Sequence, residues 1–352
     1  MECLLANFSH DLALSHGSGL YTPPPNVRIM ERDLAGLADH FVPASEVSYN
    51  AYAPVWGWDS TLVSKLKQCG FRNLPSPAQL EKIRALSSRE TAIRALRDLL
   101  TEMGGEWPVC GESSLCSCAD ELLMLDGRFV LKELWSGSGR GLRFVDGGIT
   151  EPQLNWARRC IKRQGGVAVE PYYNKFRDFA LEFVVTESAV KYCGLSVFRN
   201  ATNNAYAGNL LMPQERLWTM MESCLPHAFF TRLIEALLSC LRKIFLGNYL
   251  GPLGVDMMIV DHGTSVAVHP CVEINVRRTM GMLSLHLADL VDSNSKAEFK
   301  LVYDKDSQQI AAMCAAMPKP RLSADGKLTE GVLTLTPLLP DTHFVALIET
   351  FD

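Results

Sequence analysis

The chain has 352 residues, 47% hydrophobic and 21% charged, a globular composition with room for two or three compact lobes. A net charge of -5, a pI near 5.9 and the lack of any Lys/Arg run argue against a nucleic-acid-binding surface. The apolar start carries Glu2 and Asp11 without a basic leader region, and no apolar run reaches the roughly 20 residues of a membrane helix, so a cytoplasmic protein is expected.

In chain order, residues 3–6 read as a short strand followed by Asn7-Phe8-Ser9-His10-Asp11. Prolines 23–25 and Pro54 punctuate loops, and residues 28–85 suit a small α/β lobe. A helix is expected over 78–86 with Leu80, Ile83 and Leu86 on one stripe. Ser87 and Glu90 have capping-box spacing for the next helix, whose stripe is Ile93, Leu96, Leu100 and Met103. Arg89 falls in its first turn, where the helix dipole disfavours a cation.

Two strands are expected between 128 and 145, joined by Ser136-Gly137-Ser138-Gly139-Arg140-Gly141, then a helix over 152–164 and strands over 167–170, 179–185 and 190–198. A helical region over 214–246, broken near Pro226, has Leu233, Leu237, Leu241 and Ile244 as its core stripe. A hairpin follows, 254–260 and 266–276 about Asp261-His262-Gly263. The remainder offers a helix near 284–290 and strands near 299–303, 331–335 and 344–348. Of eleven cysteines, Cys193, Cys224, Cys240 and Cys271 lie in apolar stretches. Cys110, Cys116 and Cys118 cluster without a matching second pair, so structural thiols are expected over a metal site.

Three constellations carry chemistry. In Val272-Glu273-Ile274-Asn275-Val276-Arg277, strand alternation puts Glu273, Asn275 and Arg277 on one face, with Val272, Ile274 and Val276 toward a core. Carboxylate and amide oxygens are the hard ligands Mg²⁺ prefers, and Asp256 on the preceding strand offers another. Secondly, Lys132 precedes the Gly/Ser loop from a strand, which is not a Walker A arrangement. Such a loop can close over phosphates or be a flexible turn. Thirdly, Glu170-Pro171-Tyr172-Tyr173 ends a strand and Asp178 opens the next, a crossing between two lobes.

These elements, in this order, resemble the ATP-grasp superfamily, which includes biotin carboxylase, D-alanine–D-alanine ligase and glutathione synthetase. The resemblance covers about residues 87–290. It implies an N-terminal pre-ATP-grasp α/β domain (1–86), a small subdomain (87–170) and a large subdomain (171–352), an α/β and α+β architecture holding ATP between subdomains. It further implies that Lys132 and Ser136, Gly137, Ser138 and Gly139 contact phosphates, and that Glu170 with Tyr172 and Tyr173 reads adenine. Asp178 would hold the ribose, while Asp256, Glu273 and Asn275 would bind two Mg²⁺. Arg277, with Lys132, would act at the reacting centre. Arg89 stands where many members have a further Lys, and Gly254 where some peptide-type ligases have Arg.

The implied activity is ATP-dependent ligation of a small-molecule or peptide carboxylate to an amine or thiol, with no nucleic acid or membrane; a homodimer is left open. A small-molecule kinase or a non-catalytic ATP-binding module are the alternatives. His10 or Asp11 could touch the acceptor, or serve as cap and turn residues. Trp56 and Trp58 could wall a ligand or simply pack. Arg199, before an Asn-rich stretch (Asn200, Asn203, Asn204, Asn209), could hold a carboxylate or lie in a solvated loop.

Overall fold

Asp59 and Ser76 each sit one residue ahead of a helix and accept a backbone N–H from its first turn, Leu62 N at 2.9 Å and Gln79 N at 3.3 Å. Such caps help to start the helices of the N-terminal region in the computed structural model, which describes residues 5–17, 20–41, 53–137, 141–200 and 206–351. They are α1 (His10–His16), α2 (Pro25–Asp33), α3 (Ser60–Gln68) and α4 (Pro77–Leu86). No strand occurs among the described residues before 87. Cys3 and Leu4 of the expected first strand lie outside the described residues, and Leu5 and Ala6 lead through a turn into α1.

Helix α5 (Arg89–Met103) starts at Ser88, whose hydroxyl accepts from Glu90 N at 3.3 Å. The cap is one residue later than expected because Ser87 donates its hydroxyl back to Ile83 O, closing α4. Leu96, Leu99 and Met103 of α5 pack in the core of the large sheet rather than in the small lobe.

The small lobe is a four-stranded antiparallel sheet, β1 (Ser114–Cys116), β2 (Arg128–Glu133), β3 (Leu142–Asp146) and β4 (Val167–Pro171), in the order β1-β4-β2-β3. Helix α6 (Glu151–Gln164) covers one face through Leu154, Trp156 and Cys160 against Phe129, Leu131 and Val167. Gly165 ends α6 at φ +92°, a left-handed cap that costs glycine little.

The large lobe follows with β5 (Lys175–Val185), β6 (Val190–Asn200), β7 (Tyr206–Leu211), α7 (Gln214–Glu222), α8 (His227–Phe245), β8 (Gly251–Asp261) and β9 (Val266–Asn275). It closes with α9 (Met280–Leu287), β10 (Lys296–Tyr303), α10 (Ser307–Ala316), β11 (Arg321–Leu322), β12 (Leu328–Glu330), β13 (Val332–Thr334) and β14 (Phe344–Phe351). Eight strands form one antiparallel sheet in the order β13-β14-β10-β7-β6-β5-β8-β9. Alternation along β5 sends Phe179, Leu181 and Phe183 into the core under α5, α7 and α8, leaving Asp178, Ala180 and Glu182 on the opposite face. The expected α8 stripe is in place: Leu233, Leu237 and Leu241 are buried. On the opposite face, Leu283 and Leu287 of α9 join Leu34, Leu211 and Phe299 in a second core. Among the described residues no single helix is long and apolar enough to cross a membrane.

Phe229 of α8 is fully buried in the main core. Phe229→Ala is expected to lower unfolding free energy by about 3–5 kcal/mol with an unchanged denaturant slope, read by urea titration.

Candidate active site

The β8–β9 hairpin brings acids together by register: Asp256 is the cross-strand partner of Glu273, and Gly254 of Asn275. Asn275 Nδ2 donates to Asp256 Oδ2 at 3.0 Å. A register shift between Asp256 and Met258 interrupts the alternation, and Val272 lines the cleft instead of facing the core as expected. The next strand supplies a further acid, Glu182, cross-strand from Gly254 and fully buried. Its carboxyl accepts from Thr279 Oγ1 at 2.7 Å and Ser196 Oγ at 3.0 Å.

Two glycines make room for it. A Cβ on Gly281 would stand 2.0 Å from Glu182 Oε1, and one on Gly254 would stand 2.7 Å from Oε2. Gly254 therefore cannot carry an arginine here while Glu182 occupies that space. Burial lifts the Glu182 carboxyl to about 7, only partly offset by its hydroxyl donors. Burial, then the nearby Glu273 and Glu182, push Asp256 well above the usual carboxylate range. Crowded acids of this kind bind protons or cations readily.

Cations face this acid row. Arg277 clasps Asp11 of α1 with Nη2 at 2.8 Å and Nε at 3.0 Å, and donates to Asn275 Oδ1 at 2.9 Å. Burial alone would raise the Asp11 carboxyl, but Arg277 and His10 together outweigh it and hold the group well below its ordinary value. Arg89 is buried and pairs with Glu273 at 3.0 Å while its Nε donates to Glu133 O at 3.0 Å. Those two partners offset the helix dipole that disfavours a cation in this first turn, and the Arg89 backbone N–H donates to Leu134 O. From the small lobe, Lys132 is ion-paired with Glu170, both buried. Burial opposes ionisation of Glu170, yet the Lys132 ammonium keeps it below the usual range.

At the crossing between lobes, Tyr172 and Tyr173 line the cleft, and Tyr172 N donates to Arg128 O. Asp178 accepts from Lys175 Nζ at 2.5 Å and Asn200 Nδ2 at 3.0 Å; burial nevertheless leaves its carboxyl raised. Ser136 lies within 3.4 Å of Arg89 Nη2. Gly137 approaches Asp11 so closely that a Cβ would stand 2.2 Å from Oδ2. Ser138, Gly139 and Arg140 lie outside the described residues, as do Asn203 and Asn204.

One cavity of about 650 Å³ gathers Arg89, Lys132, Glu170, Tyr172, Tyr173, Asp178, Asp256, Glu273, Asn275 and Arg277. Asp11 and Trp56 line it too, whereas His10 is buried behind, near Trp58 O at 3.2 Å. Arg199 is turned to Glu298, with Nε to Oε1 at 2.8 Å, so its carboxylate partner is internal. The ten described cysteines are free thiols. Among the described residues, no three His, Cys, Asp or Glu side chains converge as a ready metal cage. Sequence reasoning missed Glu182 and Lys175. Glu182 was findable, because it shares the period-two face of β5 with Asp178.

Two lobes built on antiparallel sheets, gripping a charged cleft, define the class: this chain has the ATP-grasp fold. It is similar to a biotin carboxylase from Campylobacter jejuni, solved as a β-γ-ATP complex, with 14% identity and TM-score 0.51 over 82% of this chain and 68% of that one. It is also similar to an N5-carboxyaminoimidazole synthetase from Staphylococcus aureus, solved with ADP, at 14% identity and TM-score 0.49 over 84% and 74% of the two chains. An L-amino acid ligase from Bacillus licheniformis aligns at 13% identity and TM-score 0.42 over 82% and 73%. Comparison with protein-family models and with curated proteins finds no match.

A carboxyl raised by folding binds its proton more tightly in the native chain. Stability from Glu182 is therefore full below its unfolded value near 4.5 and is lost as pH rises toward about 7. In chelator-treated protein, Glu182→Gln is expected to flatten this loss by about 3 kcal/mol, measured by urea unfolding at pH 4.5 and 7.

Proposed function

We propose that this protein is an ATP- and Mg²⁺-dependent ligase that activates a carboxylate for attack by an amine or thiol. The observation that carries the reading is one cleft lined by Asp256, Glu273 and Asn275 of the large sheet and by Lys132 of the small lobe, with Arg89 paired to Glu273 beside them. Acids and cations gathered on facing lobes suit a polyanion that arrives with a divalent ion. The fold shared with the Campylobacter jejuni biotin carboxylase, solved as a β-γ-ATP complex, supports the nucleotide assignment.

In this reading Glu170, with the backbone at Tyr172 and Tyr173, takes adenine, and Asp178 takes the ribose. Lys132 has three N–H donors, so it can keep Glu170 and still reach a phosphate oxygen. Ser136 and Gly137 begin the loop that covers the phosphates, and Arg89 adds charge beside them. The oxygens of Asp256, Glu273 and Asn275 fit Mg²⁺, and the raised Asp256 carboxyl marks crowding that a cation relieves. When bound, the ion neutralises phosphate charge. Arg277, held by Asp11, orients the acid and stabilises the charge that develops as its carboxylate attacks the γ-phosphorus. That attack expels ADP and gives an acyl phosphate, at whose carbonyl carbon the amine or thiol then displaces inorganic phosphate.

Glu273→Ala is expected to lower Mg²⁺-dependent ADP release at least about 100-fold, while circular dichroism stays unchanged. ADP release is read over a panel of acids with hydroxylamine as trap. Hydroxamate supports the ligase. A stable phosphorylated alcohol makes the protein a kinase, and tight ATP binding without ADP release makes it a regulatory module.

A further inference from the structure

Charge in the cleft is segregated. Lining residues from β5, β8 and β9 include Asp178, Glu182, Asp256 and Glu273. Among the described residues, those from α2, β6, β7, β10 and β14 include no charged side chain. There the cleft becomes a chamber walled by Met30, Phe198, Leu301 and Phe344, with Leu34 just past α2. A chamber so lined excludes a second carboxylate or an ammonium, because nothing in it compensates a buried charge.

It holds one unsatisfied polar atom. Asn209 on β7 is fully buried and lines the cavity. Its Oδ1 accepts from Tyr206 OH at 2.5 Å, but Nδ2 has no hydrogen-bond partner among the described residues. Buried side-chain donors are nearly always paired, so this one calls for an acceptor from outside the chain.

Register sets the distance. Asp256 is on β8, and β5 and β6 intervene before β7. Cross-strand pairing runs Asn209–Phe198–Asp178–Met258, two residues along β8 from Asp256, so three inter-strand steps and that offset make about 16 Å between Asp256 and Asn209. An acid whose carboxylate meets Arg277 must therefore be long to reach the chamber. The chamber is distinct from the apolar slot beneath the small lobe, where Val130, Phe144, Tyr172 and Met258 lie beside the adenine-reading segment.

We infer that the acid taken by this cleft carries an extended apolar arm of about 10 Å with a hydrogen-bond acceptor near its far end, which Asn209 Nδ2 binds. This rests on the ligase reading above, which places the carboxylate at Arg277.

The test is calorimetric binding to the full chain with ADP and Mg²⁺ present, using 4-(4-acetylphenyl)butyrate, 4-(4-ethylphenyl)butyrate, acetate and succinate. The two aryl acids are expected to bind at least about 30-fold tighter than acetate or succinate, the effect of burying one ring. The ketone acid should exceed its ethyl counterpart by about 5–10-fold, one net hydrogen bond, and Asn209→Leu should erase only that increment. Phe344→Asp should weaken both aryl acids by about 30-fold. The wild-type series needs no variant to fold. Acetate or succinate binding as tightly as the aryl acids, or no aryl-acid binding, overturns the inference. A ketone increment that survives Asn209→Leu also overturns it, since an ordered water would then be the partner of Nδ2. Hydroxamate formation separates the two readings. Aryl-acid binding without hydroxamate sinks the ligase and keeps the chamber, while hydroxamate made equally from acetate and aryl acids does the reverse.

Discussion

Arg277 and Asp11 are 266 residues apart in sequence, and their two-pronged ion pair is the clasp on which the cleft depends. Taking both charges out of water is costly, and the pair stabilises only because its remaining hydrogen bonds are filled. Arg277 also donates to Arg278 O and Asn275 Oδ1, and Asn275 in turn donates to Asp256. A single hydrogen-bonded line thus runs from α1 to the acid row. It fixes the side chains of β8 and β9 and anchors the helical N-terminal region to the floor of the cleft. Breaking one end would leave a buried charge uncompensated, which is why this pair governs the site's geometry.

The acid row is the opposite kind of object, held together against its own repulsion. Asp256, Glu273 and Glu182 crowd one patch of sheet, and Arg89 answers only Glu273. Gly254 and Gly281 show how tightly the patch is built, since neither could gain a methyl group without striking Glu182. In the proposed function a bound cation would relieve that repulsion.

Period-two patterning made much of this legible. The alternation of Glu273, Asn275 and Arg277, the hairpin that returns Asp256 and the break at Pro226 could all be read locally. What escaped was non-local or competitive. Nothing near Arg199 announces Glu298, 99 residues on, and nothing near Lys132 shows that it pairs with Glu170. At Ser87 and Ser88 two hydroxyls compete for neighbouring helix ends, and spacing alone selects the wrong one. Helix α5 was assigned by order to the small lobe, although its apolar stripe fits the larger sheet.

Arg89 touches both halves of the molecule. Its side chain reaches Glu273 on the large sheet, and the same guanidinium, with its backbone N–H, holds Glu133 and Leu134 at the end of β2. The small lobe therefore cannot swing away without disturbing the counter-charge of the acid row. Lobe angle and cleft electrostatics become one variable: where the upper jaw stands sets how strongly the lower jaw attracts a cation.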